Sequence, residues 1–186
     1  DELLTFVGRL GSEKNLTLLI PVIEKVVVKN PRARLLFVGD FEFRETLEQL
    51  AAESATPDRI TFTGALPRET LGAVFESSTV FVFPSLTDTQ AWVLHEAAHA
   101  GLPVVMIDPN LSEVVFDGDN GYIVHNNPTD FADAVDKLLG DAKLRAAFGK
   151  RSRELAGQFT EAGQVQKLEK LYETAIARYE TKQFED

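Results

Sequence analysis

Short apolar runs and segments with a helical apolar period take turns along almost the whole chain. The runs are Leu3 to Val7, Ala33 to Val38, Arg59 to Phe62, Val80 to Phe83, Pro103 to Ile107 and Tyr122 to Val124. Apolar runs of this length, bounded by Gly, Asp and Pro, read as strands buried on both faces. Between the first two, Leu16, Leu19, Ile20, Ile23 and Val27 recur at helical spacing, with Ser12 as a candidate cap and Asn30-Pro31 as a stop. Strand and helix in alternation predict an α/β fold, a three-layer sandwich with a parallel sheet of about six strands.

The same reading places helices from Phe43 to about Glu53, from Arg68 to Glu76 and from about Gln90 to Ala100. A single helical turn is expected over Ser112 to Phe116, before the turn-forming run Asp117-Gly118-Asp119-Asn120-Gly121. Asn127-Pro128 predicts a capped helix start, and Gly140 is expected just past that helix's end. The remainder reads as helix divided at Gly157, with Val165, Leu168, Leu171, Tyr172, Ala175, Ile176 and Tyr179 on one face of its last segment.

Length and charge narrow the picture. The 186 residues, 44% of them hydrophobic, suit one compact domain. A net charge of −10 opposes general attraction to nucleic acid or to an anionic membrane surface, so an anionic ligand would need a local basic pocket. Cysteine is absent, which removes disulfides and thiolate metal sites. No run is long enough to span a bilayer and no basic-then-apolar leader is present, so a soluble, cytoplasmic domain is expected. Residue 1 is Asp, and a strand begins at once; a domain cut from a longer protein is the expectation.

Ligands of open parallel sheets bind beyond the carboxyl ends of the strands, so the residues there carry the candidate chemistry. After the first strand stand Gly8, Arg9, Gly11 and Lys14, and two cations beside a helix start suggest a bound phosphate or diphosphate, or else a solvated surface pair. The loop lacks the third glycine of a dinucleotide fingerprint and the pattern of a triphosphate-cradling loop. Beyond the fourth strand, Asp88 and Glu96 are carboxylates in a strand-turn-helix stretch, Pro84 to Val105. Glu96 lies on the order of 9 Å along a helix begun at Gln90, far enough to meet a ribose if a diphosphate rests on the helix N-terminus. The plainer alternatives are a Glu96 pair with His99 and a capping role for Thr87, Asp88 or Thr89. His95, His99 and His125 have no metal-ligand spacing and read as structural; Trp92 reads as a packed or rim aromatic, or as a stacking platform.

Taken in order, Val7-Gly8-Arg9-Leu10 with Glu13-Lys14, Val38-Gly39-Asp40, Phe62-Thr63-Gly64, Pro84-Ser85, the Asp88 and Glu96 pair, Ala100-Gly101-Leu102-Pro103-Val104-Val105, Glu113-Val114-Val115 and Asp117 to Gly121 form a specific series. The chain from Leu4 to about Tyr179 resembles the donor-binding, C-terminal half of a retaining family-4 glycosyltransferase, one Rossmann-like half of a GT-B fold. That resemblance implies that Arg9 and Lys14 contact the donor diphosphate, Glu96 the ribose, and Asp88, as sugar-facing acid, the transferred hexose. It further implies backbone contacts from Gln90, Ala91, Trp92 and Val93, and a nucleobase held from Gly64 to Leu66. Neither cofactor nor metal is expected, because the cations and the helix N-terminus would stabilise the leaving diphosphate.

The expected partners are a nucleotide sugar, UDP-glucose first, and a missing N-terminal acceptor domain reached by the C-terminal helix at residues 160–182. Direct membrane binding by this domain is not expected, although the implied full-length protein suits the cytoplasmic face of a membrane. The family's Glu-Gly-Phe-Gly-Leu turn is here Asp88-Thr89-Gln90-Ala91-Trp92, and the run Thr87-Asp88-Thr89-Gln90 resembles the lipid glucosyltransferases of the family more than its sucrose or glycogen enzymes. Two alternatives stand beside this one: a GT-B sugar-nucleotide epimerase domain and a non-catalytic nucleotide-sugar-binding module.

Overall fold

A computed structural model describes residues 1–88, 91–111, 113–159 and 161–183. The expected Gln90 contact, the Thr89 cap and the residue Ser112 lie outside the described residues. Six parallel strands, β1 (Glu2–Val7), β2 (Ala33–Val38), β3 (Ile60–Gly64), β4 (Val80–Phe83), β5 (Val104–Met106) and β6 (Gly121–Ile123), form one sheet in the order β3-β2-β1-β4-β5-β6. The chain steps outward from β1 to β3, then returns to place β4 against the other edge of β1. Strand order therefore reverses between β1 and β4, and a crevice opens beyond their carboxyl ends. This is the Rossmann-like α/β sandwich expected from the alternating pattern.

Strands β4 and β5 are buried along their whole length, which explains their unbroken apolar sequences. Phenylalanines tie neighbouring strands together beneath the crevice: Phe37 stacks on Phe62 with centroids 4.9 Å apart, and Phe6 stacks on Phe83 at 6.1 Å. The helices are α1 (Leu19–Lys29), α2 (Arg44–Ala52), α3 (Arg68–Ser77), α4 (Trp92–Ala100), α5 (Pro128–Gly140), α6 (Ala142–Ala156) and α7 (Glu161–Gln183). Helix α1 packs on α5 and α4 packs on α6. Asn127 accepts from Thr129 N and Asp130 N to start α5, as the Asn-Pro pair predicted. Gly140 is the last residue of α5 rather than the first beyond it, because Asp141 takes the junction and caps α6 through Lys143 N and Leu144 N.

Two local expectations are corrected. Ser12 does not cap α1: residues Ser12–Lys14 and Leu16–Leu18 form separate 3-10 turns, and α1 begins only at Leu19. The break is Asn15, whose φ of 56° is left-handed and whose side-chain amide donates to Pro84 O (3.1 Å) and Asn126 Oδ1 (3.0 Å). Nor, among the described residues, does a helical turn cover Glu113 to Phe116. The turn comes earlier, at Pro109–Leu111, with Asp108 Oδ1 accepting from Asn110 N at 2.9 Å. Phe116 N instead donates to Asn120 Oδ1 at 2.8 Å, and Asn120 Nδ2 reaches Val114 O at 2.9 Å, so a buried Asn side chain organises that segment.

Candidate functional site

Two hollows open at the strand ends and share Gly8 and Arg9 as a common wall. The first, about 200 Å³, lies over the β1/β4 switch point between Arg9 and Lys14 on one side and Asp88, Trp92 and Val93 on the other. The second, about 250 Å³, runs over β2 toward β3 and is lined by Gly39, Asp40, Ala65, Leu66 and Leu71. Together they form one crevice across the reversal of strand order.

Of the two expected cations, Lys14 is buried and Arg9 exposed. The left-handed bend at Asn15 turns Lys14 inward, where its ammonium donates to Asp88 Oδ1. Their side chains retain only 10% and 20% exposure. An ammonium so withdrawn from water costs several kcal/mol unless compensated, so Asp88 is its counterion rather than a helix cap. The loop carrying Asp88 is fixed by Thr87 Oγ1 donating to Glu13 O at 3.1 Å and by Asn15 donating to Pro84 O. Arg9 instead lies with its guanidinium 5.1 Å from the Phe41 ring centroid and, among the described residues, has no carboxylate partner. One cation is thus neutralised within the protein and the other is open to a ligand.

Helix α4 starts at Trp92, so Glu96 lies about 6 Å beyond its first residue rather than 9 Å beyond Gln90. Leu94, Ala97 and Ala98 are buried against the core, while Trp92, Val93, Glu96 and His99 share the opposite stripe, Trp92 and His99 exposed and Val93 and Glu96 half-buried. Glu96 therefore continues the line of Trp92 and Val93 away from the crevice. The plainer alternative, a pair with His99, does not form: among the described residues the Glu96 side chain makes no hydrogen bond or ion pair. Ala91 occupies the N-cap position and offers no acceptor, which leaves the first N–H groups of α4 facing the crevice mouth. Gly64 and Leu66 flank the second hollow, where Leu66 is a wall and Gly64 ends β3. Trp92 is 63% exposed and so stands as a rim aromatic.

Sequence reading missed the Lys14 and Asp88 pair, since their positions are 74 apart and only the Asn15 bend brings them together. It also missed Leu71 and the Phe41 ring. Among the described residues no group of three or more His, Asp or Glu converges as a metal site, and no helix is long and apolar enough to cross a membrane.

His95 fits its structural reading. Its ring is buried, packs edge-on to Phe159 with centroids 4.8 Å apart, and lies 5.5 Å from Trp92. Burial holds its pKa below the ordinary histidine value; nearby Glu113 opposes the shift and His99 adds to it. As pH falls through about 6.5 the unfolded chain takes up this proton before the folded one, so stability drops until the native imidazole titrates too. His95→Phe is expected to remove that part of the fall in Tm between about pH 7 and pH 5, measured by thermal melts across the range.

The family model described as Glycosyl transferases group 1 matches residues 1–155, which include both hollows and all of the candidate site residues. The chain belongs to this family. Among group 1 relatives, the sulfoquinovosyl transferase of Arabidopsis thaliana is 38% identical over 159 residues, covering 82% of this chain and 29% of its own length. The D-inositol 3-phosphate glycosyltransferase of Corynebacterium aurimucosum is 30% identical over 184 residues, covering 95% of this chain and 44% of its own. The chain thus spans less than half the length of these curated relatives. S. aureus TarM, solved with UDP bound, superimposes with a TM-score of 0.84 at 24% identity, covering 92% of this chain and 35% of TarM. The fold is that of the C-terminal half of GT-B glycosyltransferases.

Proposed function

We propose that the chain is the donor-binding half of a retaining, family-4 hexosyltransferase that moves a sugar from a nucleotide sugar, UDP-glucose first, to an acceptor hydroxyl. The observation that carries this reading is the switch-point crevice, where Arg9, Lys14, Asp88 and the open N-terminus of α4 converge and Glu96 follows one turn on. In this reading the diphosphate lies between Arg9, Lys14 and the N–H groups of Trp92 and Val93. Glu96 receives the ribose hydroxyls, Asp88 and the backbone from Gln90 to Val93 face the sugar, and the base enters the hollow beside Gly64 and Leu66. Departure of the diphosphate is stabilised by these fixed positive groups, which need no rearrangement as charge develops. The names of the relatives support sugar transfer, and the UDP in TarM supports a nucleotide-sugar donor.

The acceptor site belongs to the remaining part of the longer protein, toward which α7 presents Leu171, Tyr172, Ile176 and Tyr179, each about 60% exposed. The 186-residue chain alone is expected to bind donor weakly and to transfer little or no sugar.

Titration calorimetry with UDP-, GDP- and ADP-glucose tests the assignment. Glu96→Ala and Arg9→Ala should each weaken the best ligand by about 10- to 100-fold, the loss of a charge-assisted hydrogen-bond partner. Unchanged affinity in both variants would remove the basis of the reading. With the longer protein, measuring released nucleotide against transferred sugar separates transfer from the epimerase alternative.

A further inference from the structure

Lys14 enters the crevice already neutralised, while Arg9, across the same wall, is not. If the crevice takes a diphosphate, as the reading above holds and on which this inference rests, an incoming phosphate meets the Asp88 carboxylate at the ammonium it must contact. Two anions within about 4 Å repel, and the repulsion is strongest in a place as poorly hydrated as this one. The Lys14 side chain is 10% exposed and that of Asp88 20%, so water screens neither well.

We propose that Asp88 is an exchangeable counterion of Lys14, a positioning residue that holds the ammonium in the free chain and yields it to the donor diphosphate. Arg9 receives the anion first, because the aromatic face of Phe41 leaves its charge unopposed. The ammonium then passes from carboxylate to phosphate, keeping a partner throughout, and the Asp88 side chain turns out of the pair. Its loop permits this, since the anchors are on Pro84 and Thr87 and leave the Asp88 side chain no described partner except Lys14. Empty of ligand, the crevice is thereby kept from trapping stray anions on a bare buried lysine.

A residue that only contacts ligand should weaken binding when changed; a counterion that must be displaced should strengthen it. Binding of UDP by the 186-residue chain is measured by calorimetry for wild type, Asp88→Asn and Asp88→Glu. Asp88→Asn is expected to bind UDP about tenfold more tightly, to melt lower than wild type without ligand, and to gain more from saturating UDP. Asp88→Glu keeps the charge and should stay within about twofold of wild type. Equal or weaker UDP binding by Asp88→Asn overturns the exchange while leaving the donor-site reading intact. No UDP binding by wild type or variant removes both. Should Asp88→Asn fail to fold, the carboxyl carbon resonance of Asp88 in the wild-type chain decides: it should shift when UDP is added, and a constant position overturns the proposal.

Discussion

Gly39→Ala should lower the melting temperature by about 10 °C or more, as a loss exceeding about 4 kcal/mol would do in a chain of this length. Gly39 follows β2 with a φ of +142°, a conformation that side chains rarely adopt. A methyl group there would lie 1.9 Å from Gly8 O, a backbone atom unable to step aside because Gly8 N is itself bonded to Val38 O at 3.0 Å. Gly39 N donates to Gly64 O at 2.9 Å, so a shift of this loop also disturbs the end of β3. Gly8 lines both hollows and Gly39 the second, so nucleotide binding should fall together with stability. Gly118→Ala provides the contrast. Its φ is +72°, but no atom lies within 4 Å of the added carbon, so only backbone strain of about 1 kcal/mol is expected. Thermal melts of the two variants distinguish collision from conformational strain.

Such close approaches are invisible in the sequence, whereas the layers that surround them are not. The six strands were legible because each is a short apolar run with Gly, Asp or Pro at its edge. The start of α5 was legible because Asn127 supplies an acceptor and Pro128 needs none. What failed were places where a distant residue decides the backbone. Ser12 has the chemistry of a cap, but Asn15 is held left-handed by Pro84 and Asn126, partners 69 and 111 positions away. Likewise a helical turn was expected before Asn120, yet the Asn120 side chain claims Phe116 N and Val114 O instead.

The candidate site divides along the same line. Arg9, Glu96 and Leu66 are positioned by their own strand, helix or loop: the end of the first strand pointed to Arg9, the helical rise to Glu96, and the family resemblance to Leu66. The Glu96 alternative failed for a local reason as well, because His99 is exposed farther along the stripe and no contact closes. Lys14 and Asp88 differ in that the position of each depends on the other across the switch point. Sequence could name them as candidates for one ligand; only the Asn15 bend shows that they first neutralise each other.

That dependence makes Lys14→Met the sharpest test of the site. Met keeps the length and apolar stem of Lys, so the buried channel stays filled and Tm should change little. Asp88 loses its partner, but at 20% side-chain exposure it can recover water by a rotamer change, which limits the cost to the free chain. Binding keeps the loss of the ammonium, and even a turned-out Asp88 opposes the anion at longer range. The diphosphate would find Arg9 and the α4 N-terminus on one side and an unopposed Asp88 carboxylate on the other, losing an attraction and meeting a repulsion at once. Losing a charged partner in a poorly hydrated site costs about 2–5 kcal/mol, so UDP affinity should fall by at least about 30-fold. Lys14→Arg should recover only part of it, since a planar fork does not fit the space of a single ammonium. In Lys14→Met with Asp88→Asn the repulsion is gone but the attraction is not restored, and affinity should lie between the Lys14→Met variant and wild type. An additive outcome in this cycle would mean that the two side chains act on the ligand independently, which their shared hydrogen bond argues against.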